Sequence, residues 1–217
     1  MKTSHKIILV VSILTILFPT IVHRITDSGF IESYKAMQKL RFEGVKIKGI
    51  ANKLTIPRSS FFYQQVDIKN WYEADIWYDS DSLHVIISGE DITPEKRKLA
   101  SKGIDDKIND IAMDDRIKLS IALDRDTVNH TNYHYSFNGQ AVSADNIDGQ
   151  FVPGSKRPIT HPFSWDIQGA KWTFKASIPL IAQKKIGFNI SRRYYGKVET
   201  GWFPENLPNF FMTLYLN

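Results

Sequence analysis

A run of strict alternation bracketed by acids constrains this chain more than any other feature. Met113 to Asp124 reads Met-Asp-Asp-Arg-Ile-Lys-Leu-Ser-Ile-Ala-Leu-Asp, with Asp126 just beyond. Ile117, Leu119, Ile121 and Leu123 fall on one side of an extended backbone, and Arg116, Lys118, Ser120 and Ala122 on the other. Successive strand side chains point to opposite faces, so this pattern predicts a strand with one buried face. One such strand cannot cover its own apolar side, and it requires a sheet packed against a second layer.

The remaining chain supplies the other strands. Val45 to Ile50 alternates, and Phe61 to Ile68 is rich in aromatics. Asp75 to Tyr78 and Leu83 to Ser88 flank the polar turn Asp79-Ser-Asp-Ser82, which predicts a hairpin. Asn132 to Phe137 leads into Asn138-Gly139, a strong turn signal. Lys171 to Ile178 places Trp172, Phe174, Ala176 and Ile178 on one face, and Ile186 to Ile190 and Phe210 to Leu216 close the series. Glu90 to Asp110 reads as a polar excursion with a helical turn starting at Pro94, and Gly149 to Pro162 as a proline-containing loop. Many short strands without βαβ alternation predict an all-β fold, an antiparallel β-sandwich.

The chain divides into three parts. In residues 1–24, Lys2 and Lys6 precede the apolar run Ile7 to Val22, the form of a signal peptide or an N-terminal membrane anchor. The expectation is an exported protein, whether periplasmic, secreted or held to a membrane by this segment alone. Residues 25–45 read as a linker with a short helix over Asp27 to Phe42, where Ile31 and Tyr34 begin a helical spacing. Residues 46–217 form the sandwich.

Several chemistries are excluded by what the chain lacks. It has no cysteine, which removes disulfides, thiolate metal sites and a cysteine nucleophile. Its net charge of +5 is scattered, and the one basic cluster, Lys96-Arg97-Lys98, does not make a nucleic-acid surface. Neither a Gly-x-Ser-x-Gly elbow nor a His-Glu-x-x-His motif occurs, and no enzyme is expected. Asp124 and Asp126 with Asn129, or Asp79, Asp81 and Asp91, have the oxygen chemistry of a structural calcium site without its fixed loop spacing. His130 and His134 would share a strand face, while His84 and His161 stand singly.

Six motifs in order give a more specific reading. Tyr78-Asp-Ser-Asp-Ser-Leu-His-Val85 is followed by Asp91, then by the alternating strand from Asp114 to Asp124. Tyr135-Ser-Phe-Asn138, Trp172 to Pro179, Ile186-Gly-Phe-Asn-Ile-Ser-Arg192 and Trp202 complete the set. This series resembles family 9 carbohydrate-binding modules and the wider DOMON-like sandwiches, over roughly Lys46 to Asn217. The resemblance implies a non-catalytic module that holds a saccharide or glycan end. Trp202 would be one of two stacking rings, with Arg192 and Asn138 fixing hydroxyls and Trp165 available as a replacement ring.

The sequence also departs from that pattern. Ala112 stands where the second stacking Trp is expected, Ser136 where a strand Arg contacts sugar hydroxyls, and Lys175 where the Trp-x-x-Glu motif has its acid. Those departures leave a second expectation, a sandwich that binds a protein partner. A third is a DOMON-like haem binder using Met113 or His84.

Overall fold

The computed structural model describes Lys35 and Lys39, and residues 43–47, 49, 54–56, 71–99, 114–123, 129–148, 150–180, 183–194, 198–201 and 211–216. Its strands are β1 (Val45–Ile47), β2 (Leu54–Ile56), β3 (Trp71–Tyr78), β4 (Ser82–Glu90), β5 (Arg116–Ala122), β6 (His130–Ser136) and β7 (Ala141–Ile147). They continue as β8 (Gln150–Phe151), β9 (Arg157–Pro158), β10 (Phe163–Gln168), β11 (Lys171–Pro179), β12 (Lys185–Tyr194), β13 (Val198–Gly201) and β14 (Met212–Leu216). The expected segments at the N-terminus and over Phe61 to Ile68, and most of the 25–45 helix, lie outside the described residues.

Two sheets face each other. The larger runs β1-β14-β12-β5-β6-β7-β8, with β13 beside β12 and β9 beside β7; the smaller runs β10-β11-β4-β3-β2. The described strand pairs are antiparallel except β1 on β14, which is parallel. The expected β-sandwich is therefore the observed fold.

Alternation explains how the layers meet. The β3–β4 hairpin turns at residues 79–81 and sends Ala74, Ile76, Leu83, Val85 and Ile87 inward. Strand β11 buries Trp172, Phe174, Ala176 and Ile178, as its sequence pattern predicts. From the opposite sheet, Ile117, Leu119 and Ile121 of β5 join Ile186, Phe188 and Ile190 of β12 in one continuous core. Burial of this apolar set, at ~25 cal/mol per Å², is the main force holding the layers together.

Two sequence expectations are corrected. Strand β5 is buried on both faces: Arg116 and Lys118 are each only 4% exposed, while Leu123 is 55% exposed. The polar side is a packed hydrogen-bonded layer, in which Ser120 Oγ donates to Asn132 Oδ1 at 2.6 Å and Arg116 Nε to His134 Nδ1 at 3.1 Å. Such pairing is what allows polar groups to leave water. The Gly149–Pro162 stretch is also not all loop, since β8 and β9 both pair with β7.

Candidate functional site

The expected ligand residues that the structure describes converge on one end of the sandwich, around Phe137. Its ring lies 4.1 Å from Trp165 and 5.4 Å from Trp172, centroid to centroid. The guanidinium carbons of Arg192 and Arg97 stand over it at 4.8 and 5.2 Å. Asn138 follows it in the exposed β6–β7 turn, where Gly139 takes φ +86, a left-handed value that suits glycine.

Arg192 does not reach a ligand there. It is fully buried, with Nη2 2.8 Å from the Asp91 carboxylate. Asp91 is itself 1% exposed and also accepts from Arg97 Nε at 2.6 Å and from Trp172 Nε1 at 3.2 Å. Burial alone would push the Asp91 carboxyl up, but Arg192 and Arg97 outweigh it and hold it below the usual carboxylate range. Asp91 therefore ties the two sheets together, and its oxygens are committed to arginines and an indole rather than offered to calcium. The phase of β12 signals this placement: Arg192 continues the inward series Ile186, Phe188, Ile190.

Trp165 lies in strand β10, not in a loop. It alternates inward with Phe163 and packs 4.8 Å from Phe174 and 6.1 Å from Trp172. Its Nε1–H is buried and meets no acceptor among the described residues, so packing rather than polar recognition holds this ring. Sequence reading missed β10 because Ser164, Asp166 and Gln168 face outward and make the segment look polar.

Asn138 remains at the surface. Its Oδ1 accepts from the Gln140 amide at 3.0 Å, and its own amide donates to Ser136 Oγ at 3.4 Å. Ser136 is fully buried and donates to Asp114 Oδ2 at 3.0 Å. The position that resemblance assigns to a sugar-contacting arginine is thus occupied by a small group turned toward an aspartate. Trp202, Asp124 and Asp126 lie outside the described residues, as do Ala112 and Met113.

The described histidines are each engaged. His130 Nε2 meets Asn146 Nδ2 at 2.9 Å, and His134 accepts from Arg116. On the outer face of the smaller sheet, His84 joins Asp79 Oδ2 at 2.5 Å and Ser177 Oγ at 2.9 Å, with Trp77 stacked on its ring at 5.0 Å. The bond from His84 lowers the Asp79 pKa. Asp79–His84–Ser177 has the order of a hydrolytic triad, but Ser177 sits in a strand paired on both sides and spends its N–H on Pro162 O at 3.1 Å. Its own N–H is thus committed, and the three side chains tie β4 to β11 across the sheet. With both ring nitrogens committed, His84 is also not poised as a haem ligand.

Comparison with solved structures places the fold. A family 9 carbohydrate-binding module from Caldicellulosiruptor kristjanssonii, in complex with cellotriose, superposes with TM-score 0.57 at 14% identity. That match covers 80% of this chain and 93% of the module. A candidate carbohydrate-binding protein from Bacteroides uniformis gives TM-score 0.59 at 10% identity, over 80% of this chain and 97% of that one. At these identities the likeness is one of fold. No protein-family model matches the sequence, and no curated protein matches it.

Proposed function

We propose that this is an exported, non-catalytic carbohydrate-binding module that holds a saccharide or glycan end at the β6–β7 end of the sandwich. The observation that carries the reading is the fold shared, over most of both chains, with a module solved with cellotriose. Trp202 stacks on the sugar in this reading, and Asn138 contacts hydroxyls from the exposed turn. Aromatic faces suit sugar C–H surfaces, and a side-chain amide both donates and accepts. Arg192 and Trp165 act behind the site by fixing the position of Phe137 beneath that turn.

The test is a glycan array probed with the full chain, followed by titration of Trp202→Ala. Binding to a defined saccharide set, weakened about tenfold or more in the variant, supports the reading. A blank array on folded protein, or equal affinity in the variant, overturns it.

A second reading is favoured by Ser136, buried against Asp114 where a sugar-contacting arginine is expected. It is a sandwich that has turned from sugars to a protein partner at the same end. Stoichiometric capture of one protein, abolished by Asn138→Arg and insensitive to added saccharides, would select it.

A further inference from the structure

A second cleft opens at the edge of the sandwich, away from Phe137. Strand β6 lies over the small sheet through Tyr135, whose ring is 5.4 Å from Phe163 and 4.7 Å from Phe174. Strand β10 ends that sheet among the described residues, and β7 and β9 lie outward of β6 in the facing sheet. The overhang, with the crossing segment before β10 and the end of β11, borders an open cleft of about 660 Å³.

The lining is rich in donors. His161 Nε2 lies 2.6 Å from the hydroxyl of Tyr135, a fully buried phenol whose pKa burial raises well above 10. Such a phenol keeps its proton and can donate it to the ring. Burial holds the His161 pKa down to about 4, so the ring is neutral; with the phenol as donor to Nε2, the ring hydrogen is on Nδ1. No described group accepts that Nδ1–H.

Arg157 adds a cation. Its Nη2 donates to Asp145 Oδ1 at 2.8 Å, and that oxygen also accepts from Thr131 Oγ1 at 2.8 Å. The pair fixes the guanidinium from one side while Arg157 stays 56% exposed. Thr160 and Tyr133 bring further hydroxyls to the same space, and the Tyr133 ring and Ile178 give it apolar walls.

We propose that this edge cleft binds a small carboxylate built on a six-membered ring. The carboxylate would meet Arg157 and the His161 Nδ1–H, and the ring would lie against Tyr133. An arginine beside a neutral donor matches a planar anion better than a neutral sugar. Two sources share this chemistry, a sugar acid and an aromatic acid. The proposal goes beyond the saccharide reading and does not depend on it.

The test is calorimetric titration of the full chain with glucuronate, benzoate and, for the uncharged comparison, glucose. Binding of at least one carboxylate, weakened about tenfold or more in Arg157→Gln, is the expected result. Glucuronate alone would identify the sugar-acid source, and benzoate alone the aromatic one. Saturating a neutral oligosaccharide found on the array should leave this binding unchanged, so the two sites can fail separately. Because Arg157 is exposed, the variant should remain folded. Tyr133→Phe, which keeps the ring, gives a second and smaller loss. Absence of binding by both carboxylates, equal binding by glucose, or full affinity in Arg157→Gln would overturn the proposal.

Discussion

Two arginine–aspartate pairs with the same 2.8 Å separation have opposite consequences. Arg192 and Asp91 are 0% and 1% exposed, at the junction of the two sheets. Arg157 and Asp145 are 56% and 28% exposed, at the overhanging edge. Inside, the ions have left water, so each depends on its partner, and Arg97 and Trp172 complete the site. At the edge, water screens the pair and little stability rests on it, which leaves the guanidinium available to a ligand. Similar geometry serves architecture in one place and recognition in the other because the surroundings differ.

The sharpest way to break this contrast is Asp91→Ala. It removes the carboxylate that both arginines meet at the sheet junction and should cost about 3–5 kcal/mol in urea unfolding. A loss below ~1 kcal/mol would mean that the interior pair is no more important than the edge pair. The same carboxyl carries a pH signature. Its folded pKa is depressed, so its contribution is present above the unfolded value of about 3.9 and is lost as pH falls through the folded value. Asp91→Asn should remove that part of the acid sensitivity.

Next in size is Trp165→Ala, expected to cost about 2–4 kcal/mol by thermal or urea unfolding, because the ring packs on Phe137 and Phe174. Little loss would return Trp165 to the role of a ligand-facing ring.

His161 tests the edge region through pH. Its folded pKa of about 4 lies below the ordinary 6.5, so the unfolded chain binds more protons between those values. Stability is complete above about 6.5 and declines as pH falls toward 4, by roughly 1 kcal/mol after allowance for solvent screening. In His161→Gln, unfolding curves measured across that window should have a flatter slope. The smallest effect is expected from Arg157→Gln, under ~1 kcal/mol in stability. A larger cost would show that the edge pair is structural after all.

Much of the fold was legible in local alternation. The β3–β4 hairpin declares itself through a polar turn between apolar-phased strands, and β11 through four inward residues at period two. Strand β10 escaped because its outward residues are polar and prolines precede it. For the site, residue types were legible but their directions were not. Arg192 reads as a surface cation until β12 is followed in phase from Ile186, which turns it inward. The cleft around His161 brings together residues from β6, β9, the crossing segment and β11. Only tertiary packing makes those neighbours, so no local pattern encodes them.

The parallel pairing of β1 with β14 bears on how the molecule is made. Val45 to Ile47 lie beside Leu214 to Leu216, and Gly44 passes so close that an added Cβ would fall 2.5 Å from the Tyr215 ring. Strand β1 therefore waits for a partner synthesised almost a full domain later, a contact of very high sequence separation whose closure entropy slows folding. A nascent chain cannot complete this sheet until β14 has been made. Until then β1 would expose an unpaired edge, the form of a polypeptide that chaperones hold and proteases cut.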